Sequence, residues 1–103
     1  MLRVRLAALV DLPVDALRAF TVPGVTWPIL AGRFADEIIA TAGVCPHEDV
    51  SLADGDVDDA CLTCPGHGYV FDLRTGACLH DRELTLRRYR AVVLDGDVWV
   101  ELV

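Results

Sequence analysis

Two short runs constrain this chain more than anything else in it: Cys45-Pro46-His47 and, after the 16 residues 48–63, Cys64-Pro65-Gly66-His67. Each run offers one thiolate and one imidazole, and each contains residues that shape tight turns. Two loops presenting such pairs can converge on one site. That site could hold two metals, thiolates on one and imidazoles on the other. It could also hold one tetrahedral zinc taking all four groups, a structural zinc-binding interaction module. Zinc knuckles favour Cys-x2-Cys pairs, whereas here both runs are mixed. Cys61 and Cys64 do have that spacing. Cys61, however, lies in Ala60-Cys61-Leu62-Thr63, which reads as a strand leading into the second loop. Cys61 is therefore expected to be a buried small hydrophobe, and Cys78 likewise. His80 sits in the polar turn Leu79-His80-Asp81-Arg82-Glu83 and reads as a surface histidine.

The rest of the chain bounds what can hold those loops. Its 103 residues are room for one domain (1–103) with one core. A composition of 53% hydrophobic and 24% charged residues excludes disorder. No apolar run approaches the roughly 20 residues of a membrane span, and Met1-Leu2-Arg3-Val4-Arg5 does not open a signal peptide. The expectation is a cytoplasmic protein with no membrane association. In a reducing compartment the four cysteines are metal ligands or free thiols before they are disulfides. Sixteen acids against nine bases give a net charge of −7. Such a chain lacks the basic footprint that nucleic acid demands, and it is suited to docking on a basic protein surface.

Along the chain, the flanks read as an all-β body. Leu2–Leu6 alternates apolar residues with arginine, the pattern of a half-buried strand. Val14–Phe20 is ambiguous between a helical turn and a strand. Trp27–Ala31 reads as a buried strand, Gly32–Asp36 as a turn and Glu37–Thr41 as a β-branched strand. Tyr69–Leu73 and Leu84–Leu94 alternate, and Asp95-Gly96 signals a hairpin returning through Val98–Val103. Trp27 and Trp99 lie in strand-like segments and are expected in the core. Cys45 to Gly68 differs in character: short pieces separated by Pro, Gly and Asp, with the acids Glu48, Asp49, Asp54, Asp56, Asp58 and Asp59. With few hydrophobics of its own, that stretch reads as an inserted unit whose loops a metal centre holds.

The spacing Cys-x-His then Cys-x-x-His is that of Rieske centres, in which two histidines replace two cysteines on one iron. Cys45-Pro46-His47-Glu48-Asp49, Leu52-Ala53-Asp54-Gly55-Asp56-Val57 and Cys64-Pro65-Gly66-His67-Gly68-Tyr69-Val70-Phe71-Asp72 with Arg74-Thr75-Gly76 resemble bacterial Rieske-type [2Fe-2S] ferredoxins. The resemblance is dense over Val44–Ala77 and loose through the last hairpin. The loop after Gly76, which has no proline, is similar to that of toluene-monooxygenase-like ferredoxins.

The resemblance implies a small antiparallel β-sandwich or barrel with an inserted, loop-rich cluster-binding subdomain at about 44–78. It implies one [2Fe-2S] cluster, with Cys45 and Cys64 on the buried iron and His47 and His67 on the outer one. It implies no catalytic residues: a monomeric one-electron carrier between an NAD(P)H-dependent flavoprotein reductase and a terminal oxygenase. A Rieske subunit of another oxidoreductase, similar to the small subunit of nitrite reductases, is the alternative within that fold. High-potential relatives tie their two loops with a disulfide, and the matching positions here are Val50 and Gly66. They also carry a serine where Tyr69 stands. Both departures imply a potential near the bottom of the Rieske range.

Overall fold

A computed structural model describes residues 2–66 and 68–102. Nine strands follow in order: β1 (Arg3–Ala8), β2 (Arg18–Phe20), β3 (Ile29–Phe34), β4 (Glu37–Ala42), β5 (Asp56–Asp58), β6 (Cys61–Thr63), β7 (Val70–Asp72), β8 (Arg88–Leu94) and β9 (Asp97–Glu101). A 3-10 turn, Leu9–Asp11, is the one helical element among the described residues. The strands pair antiparallel, and the isolated bridge between Val14 and Arg33 is parallel. One sheet has the order β1-β9-β8-β4-β3-β2, and the smaller has β5-β6-β7. The protein is therefore all-β, as the alternating patterns require.

Local chemistry accounts for the body. Arg3 and Arg5 face solvent on β1 and pair across to β9, Arg3 to Glu101 at 3.2 Å and Arg5 to Asp97 at 2.9 Å. The Arg5 guanidinium holds the Asp97 carboxyl below its ordinary range by hydrogen bond and charge. Asp95 and Gly96, with φ of 51° and 79°, make the two-residue turn between β8 and β9, the left-handed pair that matches strand twist. The ambiguous Val14–Phe20 segment contributes a strand, because Arg18, Ala19 and Phe20 pair with Ala31, Leu30 and Ile29.

Other boundaries move for identifiable reasons. Gly32, read as a turn residue, lies inside β3, and the turn contracts to Ala35-Asp36. A Cβ at Gly32 would overlap the Ala16 carbonyl oxygen, so this glycine marks close backbone approach within a strand. Leu84–Leu94 becomes a strand only from Arg88. Its first residues are tied elsewhere, the Leu86 N–H donating to the Gly76 carbonyl at 2.7 Å. The acidic Asp56–Asp58 forms a strand that alternation of apolar residues does not reveal, since only Val57 turns inward, opposite Leu62. Trp99 is half-buried rather than in the core, because on β9 it alternates outward between Val98 and Val100, both fully buried.

The central strands separate two cores rather than covering one. On β3 and β4, side chains at alternate positions go to opposite faces. Ile29, Ala31, Ala40 and Ala42 join Tyr89, Val98 and Val100 on one side. Leu30, Phe34 and Ile39 join Leu52, Leu62, Phe71, Leu73 and Leu86 on the other, together with Cys45, Cys64 and Cys78. The second core fastens the small sheet to the large one, and its buried sulfurs lie where the two meet.

Thr41 shares the face of Ile39. It is fully buried, and its Oγ1 has no hydrogen-bond partner among the described residues. Thr41→Val keeps the shape and removes the desolvated hydroxyl, so it is expected to stabilise the protein by about 1 kcal/mol. The measurement is a raised denaturant midpoint at unchanged slope; a lowered midpoint would contradict this account of the hydroxyl.

Candidate metal centre

Cys45 begins a tight loop closed by backbone hydrogen bonds. Val44 bridges Ser51, the Cys45 N–H donates to the Val50 carbonyl at 2.9 Å, and the Val50 N–H donates to the Glu48 carbonyl at 2.7 Å. The second loop is the tip of the β6–β7 hairpin. Its Cys64 N–H donates to the Tyr69 carbonyl at 2.8 Å, and the Gly68 N–H to the Cys64 carbonyl at 3.0 Å. Gly68 takes φ of 74° to make that return, a conformation glycine adopts at no steric cost.

The two loops meet. A Cβ built on Gly66 would lie 2.8 Å from a Glu48 carboxylate oxygen and 3.4 Å from a Val50 methyl. Val50 and Gly66 thus face each other across the two loops.

The donors are graded by depth. Cys45 and Cys64 are 2% and 1% exposed, whereas His47, two residues beyond Cys45, faces solvent with Pro46. Burial pushes the Cys45 thiol up from its ordinary value, and the Cys64 side chain, within hydrogen-bonding reach, adds to the rise. The backbone N–H groups of His47 and Glu48 donate to the Cys45 sulfur and act in the opposite direction. Two adjoining buried thiols, with amide donors already aimed at the Cys45 sulfur, form a cradle that suits a cationic metal group. His67 lies outside the described residues. Among the described residues, no group of three or more His, Cys, Asp or Glu stands close enough to hold a single metal ion.

The remaining candidates divide. All four cysteines are free thiols. Cys78 is buried as expected, but Cys61 is only half-buried. Cys61 stands opposite Asp72 at a position of β6 where alternation turns the side chain away from the buried Leu62. His80 is exposed, yet its ring is 5.8 Å from that of Tyr69, whose other neighbour is the His47 ring at 4.3 Å. That contact was not legible in the sequence, because Tyr69 and His80 belong to different turns brought together by the small sheet. Asp49, Asp54, Asp56, Asp58 and Asp59 are exposed along the segment between the loops.

An all-β body with a small three-stranded sheet, whose loops present two buried thiols and an exposed imidazole, defines a Rieske-type iron–sulfur protein. The chain belongs to that family: the model of the Rieske [2Fe-2S] domain matches residues 3–90. Its similarity to the anthranilate 1,2-dioxygenase ferredoxin subunit of Burkholderia cepacia is 38% identity over 77 residues, 73% of this chain and 70% of that protein. A chain in the solved complex of reduced oxygenase and oxidised ferredoxin of carbazole 1,9a-dioxygenase superposes with a TM-score of 0.84. The identity there is 27%, over 95% of this chain and 91% of the other. A chain assigned as the small subunit of an NADH-dependent nitrite reductase from Mycobacterium tuberculosis shares the fold alone, at 20% identity and a TM-score of 0.81, over 99% of this chain and 96% of the other. The anthranilate and carbazole proteins belong to dioxygenase systems, whereas the loop after Gly76 is similar to that of toluene-monooxygenase-like ferredoxins. Among the described residues no helix is long and apolar enough to cross a membrane.

Proposed function

We propose that this protein is a non-catalytic one-electron carrier that takes electrons from an NAD(P)H-dependent flavoprotein reductase and delivers them to a terminal oxygenase. The observation that carries this reading is the depth grading of the donors: buried, adjoining Cys45 and Cys64, and an exposed His47 on the same loop. In this reading Cys45 and Cys64 hold the inner iron of one [2Fe-2S] cluster, and His47 and His67 hold the outer iron. The segment 44–78 is the unit that holds the cluster, within a single domain. Such a cluster supplies one-electron chemistry at a potential raised by its neutral imidazole ligands.

The chain's own residues do the rest. The buried thiolates anchor the group away from water, and the His47 and Glu48 amides stabilise charge on sulfur. The exposed His47 imidazole would bring the group's outer edge to the surface, where a partner can approach. Exposed Asp49, Asp54, Asp56, Asp58 and Asp59 lie between the two loops in sequence and favour basic partner faces. The small tip suits brief contacts at the low end of interface size, made by a monomer.

The purified protein is expected to be red-brown, with a rhombic EPR signal after dithionite. Val50 and Gly66 cannot form the bridge of high-potential relatives, so redox titration is expected to give a midpoint on the order of −150 mV. A midpoint above about +100 mV would contradict a carrier fed by a reductase. A colourless protein with zinc bound would overturn the cluster altogether.

A further inference from the structure

Three rings stand in a row at the tip, and two of them are outside the proposed ligand set. The Tyr69 ring packs on the His47 imidazole at 4.3 Å between centroids, tilted by 33°. The His80 ring lies 5.8 Å from Tyr69 at 30°. Neither Tyr69 nor His80 is loosely held. The Tyr69 carbonyl accepts the Cys64 N–H, and its half-buried side chain packs against the core that contains Cys45 and Cys64. The turn carrying His80 is tied on both sides. The Leu79 N–H donates to the Val70 carbonyl at 2.8 Å, the Cys78 N–H to the Leu84 carbonyl at 3.3 Å, and the Glu83 N–H to Asp81 Oδ1 at 2.9 Å.

A histidine ring turns about its Cβ–Cγ bond, a broad torsion that decides how the ring plane meets a bound metal. An aromatic face in contact with it removes much of that freedom. We propose that Tyr69 is a positioning residue that sets the ring plane of His47, and that His80 acts through Tyr69 by holding it in place. This rests on the reading of His47 as a ligand of a Rieske cluster. A third loop thereby reaches the outer iron's ligand without supplying a ligand itself.

The test uses the holoprotein and pulsed EPR of its reduced form, with redox titration alongside. In Tyr69→Leu the nitrogen hyperfine couplings are expected to shift. The reduced-to-oxidised ratio, read at the wild-type midpoint, is expected to change at least threefold, about 28 mV at 59 mV per tenfold for one electron. Tyr69→Phe keeps the ring and is expected to match wild type. His80→Leu is expected to move the couplings in the same direction by less, and to add nothing in the Tyr69→Leu background. Unchanged couplings and ratio in Tyr69→Leu, whether or not its melting temperature falls, overturn the proposal, as does Tyr69→Phe behaving like Tyr69→Leu. A wild-type protein without the rhombic signal overturns the cluster reading itself, so the two failures are told apart before any variant is made.

Discussion

Cys64→Ser is expected to give a folded but colourless protein that retains almost no iron, against two irons per chain in wild type. Cys64 is 1% exposed and adjoins Cys45 in the core that joins the two sheets. A serine hydroxyl there is a poor anion and a hard donor, so half of the proposed inner sulfur pair is lost, and the affinity for a soft metal group falls with it. Because bound metal stabilises the state that binds it, the melting temperature should fall as well. The control is Cys61→Ser. Cys61 is half-buried at the start of β6, opposite Asp72, and its replacement is expected to leave iron content and colour unchanged. Iron analysis and visible absorbance of both variants decide the matter. A Cys64→Ser protein that keeps its iron, or a Cys61→Ser protein that loses it, would reassign the inner ligands.

The largest expected effect away from the metal centre is at Gly76. This residue takes φ of 83°, and a Cβ built on it would lie 2.5 Å from the Leu86 carbonyl oxygen. Both of its backbone groups are engaged at close range, the N–H donating to Asp72 at 2.6 Å and the carbonyl accepting from Leu86 at 2.7 Å. Room for a methyl can come only by separating backbone segments that these bonds hold together. Gly76→Ala therefore combines a left-handed penalty of about 1–2 kcal/mol with loss of one or both bonds, for a destabilisation of about 2–4 kcal/mol. Gly96→Ala separates the two contributions. Gly96 has φ of 79°, but nothing lies within 4 Å of its added Cβ, so only the conformational cost of about 1 kcal/mol remains. Chemical denaturation of the two variants measures the difference, and equal losses would show that the contact with Leu86 carries no cost.

Both predictions rest on features that were partly visible in the sequence. The Thr75-Gly76 turn was legible as a turn, but not its closeness to Leu86, ten residues on. The Cys-x-His and Cys-x-x-His runs were legible as one site, because only a few metal groups suit two mixed pairs on turns. The grading of the donors into buried sulfur and exposed ring was implied by the family resemblance alone, and the fold supplies its depths at Cys45, Cys64 and His47. Cys61 shows the limit from the other side: its neighbours are apolar, yet strand parity turns it outward from Leu62.

What the chain's order of residues determined unaided was whatever depends on near neighbours: the all-β alternation, the Asp95-Gly96 hairpin, and two loops able to offer sulfur and nitrogen to one metal group. Tertiary structure alone decided what depends on residues far apart in the chain. It divided β3 and β4 between two cores, placed a glycine inside a strand because Ala16 crosses it, and set Tyr69 between His47 and His80. Periodicity reports which way a side chain points along its own strand. Which distant backbone or ring it then meets follows from how the sheets pack.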